Sequence, residues 1–142
     1  MALVDDCAFC RIIKGEIPSA KVYEDELVLV FLDIAPFNFG HSLIVPKDHH
    51  HSVTTLPAEY LARMMSIAAR VAPAIMRATG AEGFNLFLNN GSVAGQVVPH
   101  SHLHILPRFA NDGVIIQAAS KKYDNPAAMQ ELATEISAKV KA

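Results

Sequence analysis

From Leu61 through Met64, Met65, Ala68, Val71 and Ile75, apolar residues recur at spacings of three and four, the period of one buried helical face. Gly80 ends this long helix, Thr55 is placed to cap it with Pro57 near its first turn, and the internal Pro73 predicts a kink or local break. A second periodic stretch, Pro126 to Val140, carries Met129, Leu132, Ile136 and Val140 on one side. The apolar run Cys7 to Ile13, broken by Gly15 and Pro18, predicts a short N-terminal helix. Between the helices the pattern is that of strands. Lys21 to Asp33 is rich in Val, Tyr, Leu and Phe with an acidic break at Glu24 to Glu26, which reads as two strands joined by a tight turn. A loop follows between Pro36 and Gly40, then strands at Ser42 to Val45, Phe84 to Leu88 and His100 to Arg108, with a glycine-containing loop from Gly91 to Gly95. Strands in hairpin-like succession around one long helix predict an α+β fold with a mainly antiparallel sheet.

At 142 residues, 51% hydrophobic and 18% charged, the chain is long enough for one domain with its own core, taken to span residues 1–142. No repeat or low-complexity stretch divides it. A net charge of −2 argues against a broad nucleic-acid or membrane-binding surface. No apolar run reaches the length of a membrane span, and Asp5 and Asp6 stand where a signal peptide would carry base, so the expectation is a soluble cytoplasmic protein. The two cysteines, Cys7 and Cys10, are too few and too close for a disulfide framework. Trp is absent, whereas His occurs 7 times.

His100, His102 and His104 alternate with Ser101, Leu103 and Ile105. On a strand, alternate residues share a face, so three imidazoles would project together while Leu103 and Ile105 enter the core. Neighbouring members of such a row lie about 6.6 Å apart and the outer two about 13 Å apart. Two could converge on one metal, but all three could do so only if the strand bent sharply. At least one ring is therefore left free for chemistry, and neutral imidazole near pH 7 serves as a nucleophile or acid–base group.

These residues also carry a resemblance. Asn89-Asn90-Gly91, Gly95-Gln96-Val97-Val98-Pro99 and His100-Ser101-His102-Leu103-His104-Ile105-Leu106-Pro107-Arg108 resemble the signature of the histidine triad family of nucleotide hydrolases and transferases. Upstream, Phe9 to Ile13, Gly15 to Pro18, Phe31 to Ile34 and Gly40 to Lys47 resemble the family's N-terminal helix and central strands. The resemblance runs in order from about residue 7 to residue 109, with a tail at 110–142 outside it. It implies a roughly five-stranded antiparallel sheet with one long helix, a short N-terminal helix and a C-terminal helix.

By that resemblance His102 is the nucleophile that attacks the α-phosphorus of a purine nucleoside phosphoramidate or dinucleotide polyphosphate, forming a nucleotidyl–histidine intermediate that releases a nucleoside monophosphate. His104 lies beside a phosphate oxygen and the leaving group, and His100 completes the triad. Asn89 and the amides after Gly95, including that of Val97, hold the phosphate, with Gly95 permitting close approach. Gln96 either reaches the site or ties the loop. Asp33 resembles the acid that accepts the ribose hydroxyls, the alternative being a turn cap. Phe9, Ile12 and Ile34 wall the base or simply pack. His41 falls at a family histidine that supports the triad strand. One departure is Val97, where the best-known branch carries Ser or Thr after the Gly-Gln pair; a hydroxyl near the leaving group is missing.

Cys7-x-x-Cys10 alone reads as a redox pair, a metal half-site or two buried thiols. His49-His50-His51 alone reads as a solvated turn. The resemblance to zinc-binding members of the family implies a closed structural zinc site of Cys7, Cys10, His49 and His100, with no metal required for the chemical step and with His50 and His51 unassigned. It also implies a homodimer built on the long helix, for which Met64, Met65 and Met76 offer a face. The competing functions are a nucleotide-binding, zinc-stabilised interaction module with weak catalysis and a hydrolase that uses its histidines as metal ligands.

Overall fold

The computed structural model describes residues 2–116 and 119–140. Its elements, in chain order, are α1 (Ala8–Ile13), β1 (Lys21–Glu24), β2 (Val28–Leu32), β3 (Ser42–Pro46), α2 (Ala58–Thr79), β4 (Gly83–Phe87), a single 3₁₀ turn at Ser92–Ala94, β5 (Leu103–Arg108) and α3 (Pro126–Lys139). The strands form a five-stranded sheet in the order β1-β2-β3-β5-β4, each neighbouring pair antiparallel. This is the α+β architecture that the hydrophobic pattern predicts. No described helix is long and apolar enough to cross a membrane.

The pleat divides the interior into two layers. Val28, Val30, Ile44, Leu103 and Ile105 point to one face and pack on Met64, Ile67, Ala68, Val71, Ala72 and Ile75 of α2. Leu29, Phe31, Leu43 and Val45 point to the other, where Cys7, the N-cap of α1, and Phe9 and Cys10 within the helix cover them. Each of the larger aliphatic side chains contributes about 1.5–3 kcal/mol on full burial. Leu43 lies opposite His104 in the β3–β5 register, so His104 belongs to the α1 face.

Four expectations change. Pro57, not Thr55, is the N-cap of α2; the Thr55 hydroxyl instead meets His50 Nδ1 at 3.1 Å. Helix α2 is continuous through Pro73, without the local break; the carbonyl that Pro73 leaves without a donor belongs to exposed Ala69, where water can satisfy it. Strand β5 begins at Leu103, so His100, Ser101 and His102 lie in the segment leading into it and need not share one face. Met64 sits in the core and offers no outer face, whereas Met65 is exposed. Helix α3 forms as expected, capped by Asn125 through its side-chain bond to the Ala128 amide, yet it contains no buried residue. Its apolar stripe of Met129, Leu132 and Ile136 faces outward.

Candidate active site and metal centre

His102 and His104 stand side by side on the α1 face, their ring centroids 4.8 Å apart. His102 Nδ1 lies 2.7 Å from the carbonyl oxygen of His100. A carbonyl can only accept, so Nδ1 carries the proton and Nε2 keeps its lone pair. Phe9 of α1 meets this ring edge-on at 5.1 Å and holds it from the helix side. Burial lowers the pKa of His102, so the free base is the form present at neutral pH.

A second chain of bonds fixes His104. The Phe37 amide donates to His41 Nδ1 at 3.2 Å, which leaves the proton of neutral His41 on Nε2. His41 Nε2 lies 2.9 Å from His104 Nδ1 and therefore donates to it. The proton of His104 is thus on Nε2, the nitrogen not engaged by His41. Burial, followed by the neighbouring His102 and His41, pushes the His104 pKa down to about 4, and burial lowers that of His41 as well. Phe87, which opposes His104 in the β4–β5 register, stacks on its ring at 4.2 Å and 10°. The sequence reading did not single out Phe87; its signal was the strand pairing, which a single sequence does not print. Asp33 closes this end of the site, with Oδ2 3.7 Å from His41 Nε2, while Oδ1 caps its own loop at the Ala35 amide.

His100 turns elsewhere. Its Nε2 donates to the Pro46 carbonyl at 2.9 Å, so Nδ1 offers a lone pair. That nitrogen lies 3.4 Å from Cys7 Sγ, 3.5 Å from Cys10 Sγ and 3.3 Å from His49 Nδ1, and Cys10 Sγ lies 3.4 Å from His49 Nδ1. All four residues are buried. A tetrahedral zinc with bonds of about 2.0–2.1 Å to nitrogen and about 2.3 Å to sulfur would separate its donors by about 3.3–3.8 Å. The residues therefore fit the ion in donor type, number and spacing. Burial pushes the bare Cys10 thiol up to about 11, a cost that a divalent cation at the centre would reverse.

The loop between β4 and β5 is held by its own hydrogen bonds. Gly95 adopts φ +96°, and an added Cβ would come within 3.3 Å of Asn89 Nδ2, so the carboxamide of Asn89 lies directly on the loop backbone. Gln96 ties the loop: its Nε2 donates to the His51 carbonyl at 2.7 Å and the Val98 carbonyl at 3.1 Å, and its Oε1 accepts from the Gly91 amide at 2.8 Å. All the polar atoms of its side chain are engaged within the protein. Val97 is exposed, and with Gln96 and His51 it lines an open cavity of about 540 Å³.

Comparison with known proteins supplies the name for this arrangement. The HIT domain matches residues 14–111. The chain belongs to the HIT family. Adenylylsulfatase HINT3 of Arabidopsis thaliana is 47% identical over 110 residues, 78% of this chain; the chain spans 56% of that protein's length. Adenosine 5′-monophosphoramidase hnt1 of Schizosaccharomyces pombe is 39% identical over 136 residues, covering 95% of this chain and 98% of that protein. A zinc-bound histidine triad family protein from Mycobacterium smegmatis has a TM-score of 0.74 at 36% identity, over 92% of this chain and 97% of that one.

Within this HIT fold, the residues singled out from sequence fall into three groups. His102, His104, His41, Asp33 and Phe9 converge on one face of the sheet, and Asn89 and Gly95 lie against each other on the β4–β5 loop. Cys7, Cys10, His49 and His100 converge behind α1. Ile12 is half-buried against the α1 layer, whereas Ile34 is fully exposed and has no wall to share in this single chain.

Proposed function

We propose that this HIT protein is a nucleotidyl hydrolase that cleaves AMP derivatives at the α-phosphate through an adenylyl–His102 intermediate. The observation that carries the reading is the 2.7 Å bond from His102 Nδ1–H to the His100 carbonyl, which leaves Nε2 as an oriented, unprotonated nucleophile. The names of its relatives support the same class, hydrolysis of adenylyl sulfate and of adenosine phosphoramidate.

In the first step His102 Nε2 attacks phosphorus, the P–N bond forms and the bond to the leaving group breaks with its electron pair. His102 becomes cationic and its Nδ1–H stays on the His100 carbonyl. His104 Nε2–H donates to the charge that grows on the phosphoryl oxygens or the leaving atom, and the loop amides from Gly95 to Val97, with Asn89, hold the remaining oxygens. Water then attacks the same phosphorus, the P–N bond breaks, AMP departs and His102 returns to neutrality, with the water's proton passing to solvent. Asp33 accepts the ribose hydroxyls, and Ile12 borders the base.

Neutral His104 can donate a hydrogen bond but has no proton to give up, because loss of Nε2–H would leave an imidazolate. With Val97 in place of a hydroxyl residue, amine leaving groups lack a proton source in the site. Anionic leaving groups such as sulfate need none, so the geometry favours them. Cys7, Cys10, His49 and His100 would hold a structural zinc, which supplies a closed crosslink between α1 and the segment leading into β5. A homodimer fits the exposure of Met65 on α2 and Phe84 on the edge strand β4.

The test measures AMP release from adenosine 5′-phosphosulfate and adenosine 5′-phosphoramidate by wild type and His102→Ala, with mass spectrometry of alkali-quenched protein. Turnover and an adenylylated chain in the wild type alone support the reading. Equal turnover in both proteins replaces it with the binding-module reading.

A further inference from the structure

We propose that the Cys7–Cys10–His49–His100 centre positions the nucleophile, so that its metal occupancy sets the rate of the chemical step as well as the stability of the fold. This rests on the reading of His102 as nucleophile and of the centre as a zinc site.

Two separate links join the centre to His102. The first is His100, whose ring and backbone serve different masters. Its Nδ1 points at the two sulfurs and His49, while its carbonyl receives the Nδ1–H of His102. Rotation of the His100 peptide would deprive His102 of the acceptor that selects its tautomer. The His100 ring is anchored against rotation on its far side by the Pro46 carbonyl at 2.9 Å and on its near side by the centre. The second link is Phe9. It lies between Cys7 and Cys10 in α1, and its ring meets His100 at 5.9 Å, His102 at 5.1 Å and Phe31 at 5.5 Å, each edge-on. Cys7 N-caps α1, with its Sγ accepting from the Cys10 amide at 3.4 Å. This helix has 6 residues, too short to hold its place by its own hydrogen bonding. Its attachment through the two thiolates is what seats Phe9 against the nucleophile.

Loss of the metal therefore loosens both the acceptor that sets the His102 tautomer and the aromatic edge that sets its ring angle. Outer residues that orient a reacting group in this way typically change activity 10–100-fold when removed. His100 and Phe9 are accordingly positioning residues, and the effect belongs to kcat, because neither link touches the nucleotide phosphate.

The experiment compares zinc-loaded protein, the same protein stripped with a chelator, and the stripped protein reloaded with zinc alone. The readouts are zinc content, far-ultraviolet circular dichroism, the ¹H–¹⁵N long-range correlation of the His102 ring at fixed pH, and kcat and KM for adenosine 5′-phosphosulfate. The expected result is one His102 tautomer in the loaded form and a mixture in the stripped form. kcat falls about 10–100-fold with KM within a few-fold, and zinc restores both. Should the stripped protein unfold, Phe9→Leu keeps the four ligands and breaks only the second link; zinc retained with a lower kcat and a broadened His102 resonance supports the proposal. His49→Cys, which preserves four ligands, is expected to retain zinc and the single tautomer. A folded, zinc-free protein with an unchanged tautomer and kcat overturns the proposal, as does a Phe9→Leu variant with both unchanged. If His102→Ala retains turnover, the nucleophile assignment fails, and the ring tautomer still reports on the coupling by itself.

Discussion

His41 donates its Nε2–H to His104 Nδ1 at 2.9 Å, and does so because the Phe37 amide occupies its own Nδ1. One backbone amide in the loop before β3 thereby decides which nitrogen of a residue on β5 carries a proton. Removing the relay frees His104 to present a lone pair, instead of a donor, to the phosphate. The variant His41→Leu is expected to lower kcat about 10–100-fold with little change in KM. His41→Gln, whose amide supplies a donor at similar reach, recovers part of the loss. A change confined to KM in steady-state kinetics would contradict this role.

The pH dependence follows from the same rings. Burial lowers the pKa of His102, and an imidazole with a lowered pKa stays unprotonated into acid. Protonation of Nε2 abolishes attack, so activity is lost as pH falls through the His102 value and is complete above it. The acid limb of kcat/KM is thus expected below the ordinary imidazole value of 6.5, with a flat profile from there to pH 8. His104, pushed down to about 4, stays neutral throughout that range and contributes no second limb. A limb centred at or above 6.5 would show that burial does not control the nucleophile.

Gln96 occupies the position at which a polar side chain next to the phosphate loop invites assignment to substrate. Its amide is instead committed to the carbonyls of His51 and Val98 and to the amide of Gly91. Replacing it with Glu puts a carboxylate against two carbonyls and removes two donors, so the loop amides lose their common orientation. Gln96→Glu is expected to raise KM about 10-fold, equivalent to about 1.4 kcal/mol, with the far-ultraviolet spectrum intact. Unchanged KM with a reduced kcat would assign Gln96 to the chemical step.

Much of this was readable from one sequence because the physics behind it is local. The three-and-four period of Met64, Ala68, Val71 and Ile75 is the face that α2 buries, and the odd-numbered Leu103 and Ile105 enter the same core. The His-x-His-x-His spacing marks the family. It did not show that His100 lies outside the strand and turns its ring to a different partner set, because alternation predicts a shared face only where the ladder exists. Thr55 and Pro73 depart from the local pattern for a related reason. A capping hydroxyl is diverted when a neighbour such as His50 competes for it, and a proline whose orphaned carbonyl faces solvent can be carried within a continuous helix. The relay through Phe37, His41 and His104 joins three segments by tertiary contact, with a backbone amide as its source, so no residue type in the sequence marks it.

Asp25 carries the acid sensitivity of the β1–β2 turn. Burial by itself would raise its pKa, but the amides of Val28 and Leu27, the Arg63 guanidinium at 2.6 Å and the Tyr23 hydroxyl more than offset that, holding it at about 2 against an ordinary 3.8. Its side chain is 19% exposed, so most of the shift survives solvent screening. A carboxylate depressed in the folded state contributes stability that is fully present above its unfolded value. That stability is lost as pH falls from about 4 toward 2. The shift corresponds to about 2 kcal/mol at neutral pH. Asp25→Asn removes the charge while keeping an oxygen for the turn amides, so it is expected to destabilise the protein by about 1–2 kcal/mol at pH 7 and by about a third of that at pH 2.5. Urea denaturation at the two pH values measures the difference. Equal losses at both would mean that Asp25 acts through turn geometry alone, with its ion pair to Arg63 adding nothing.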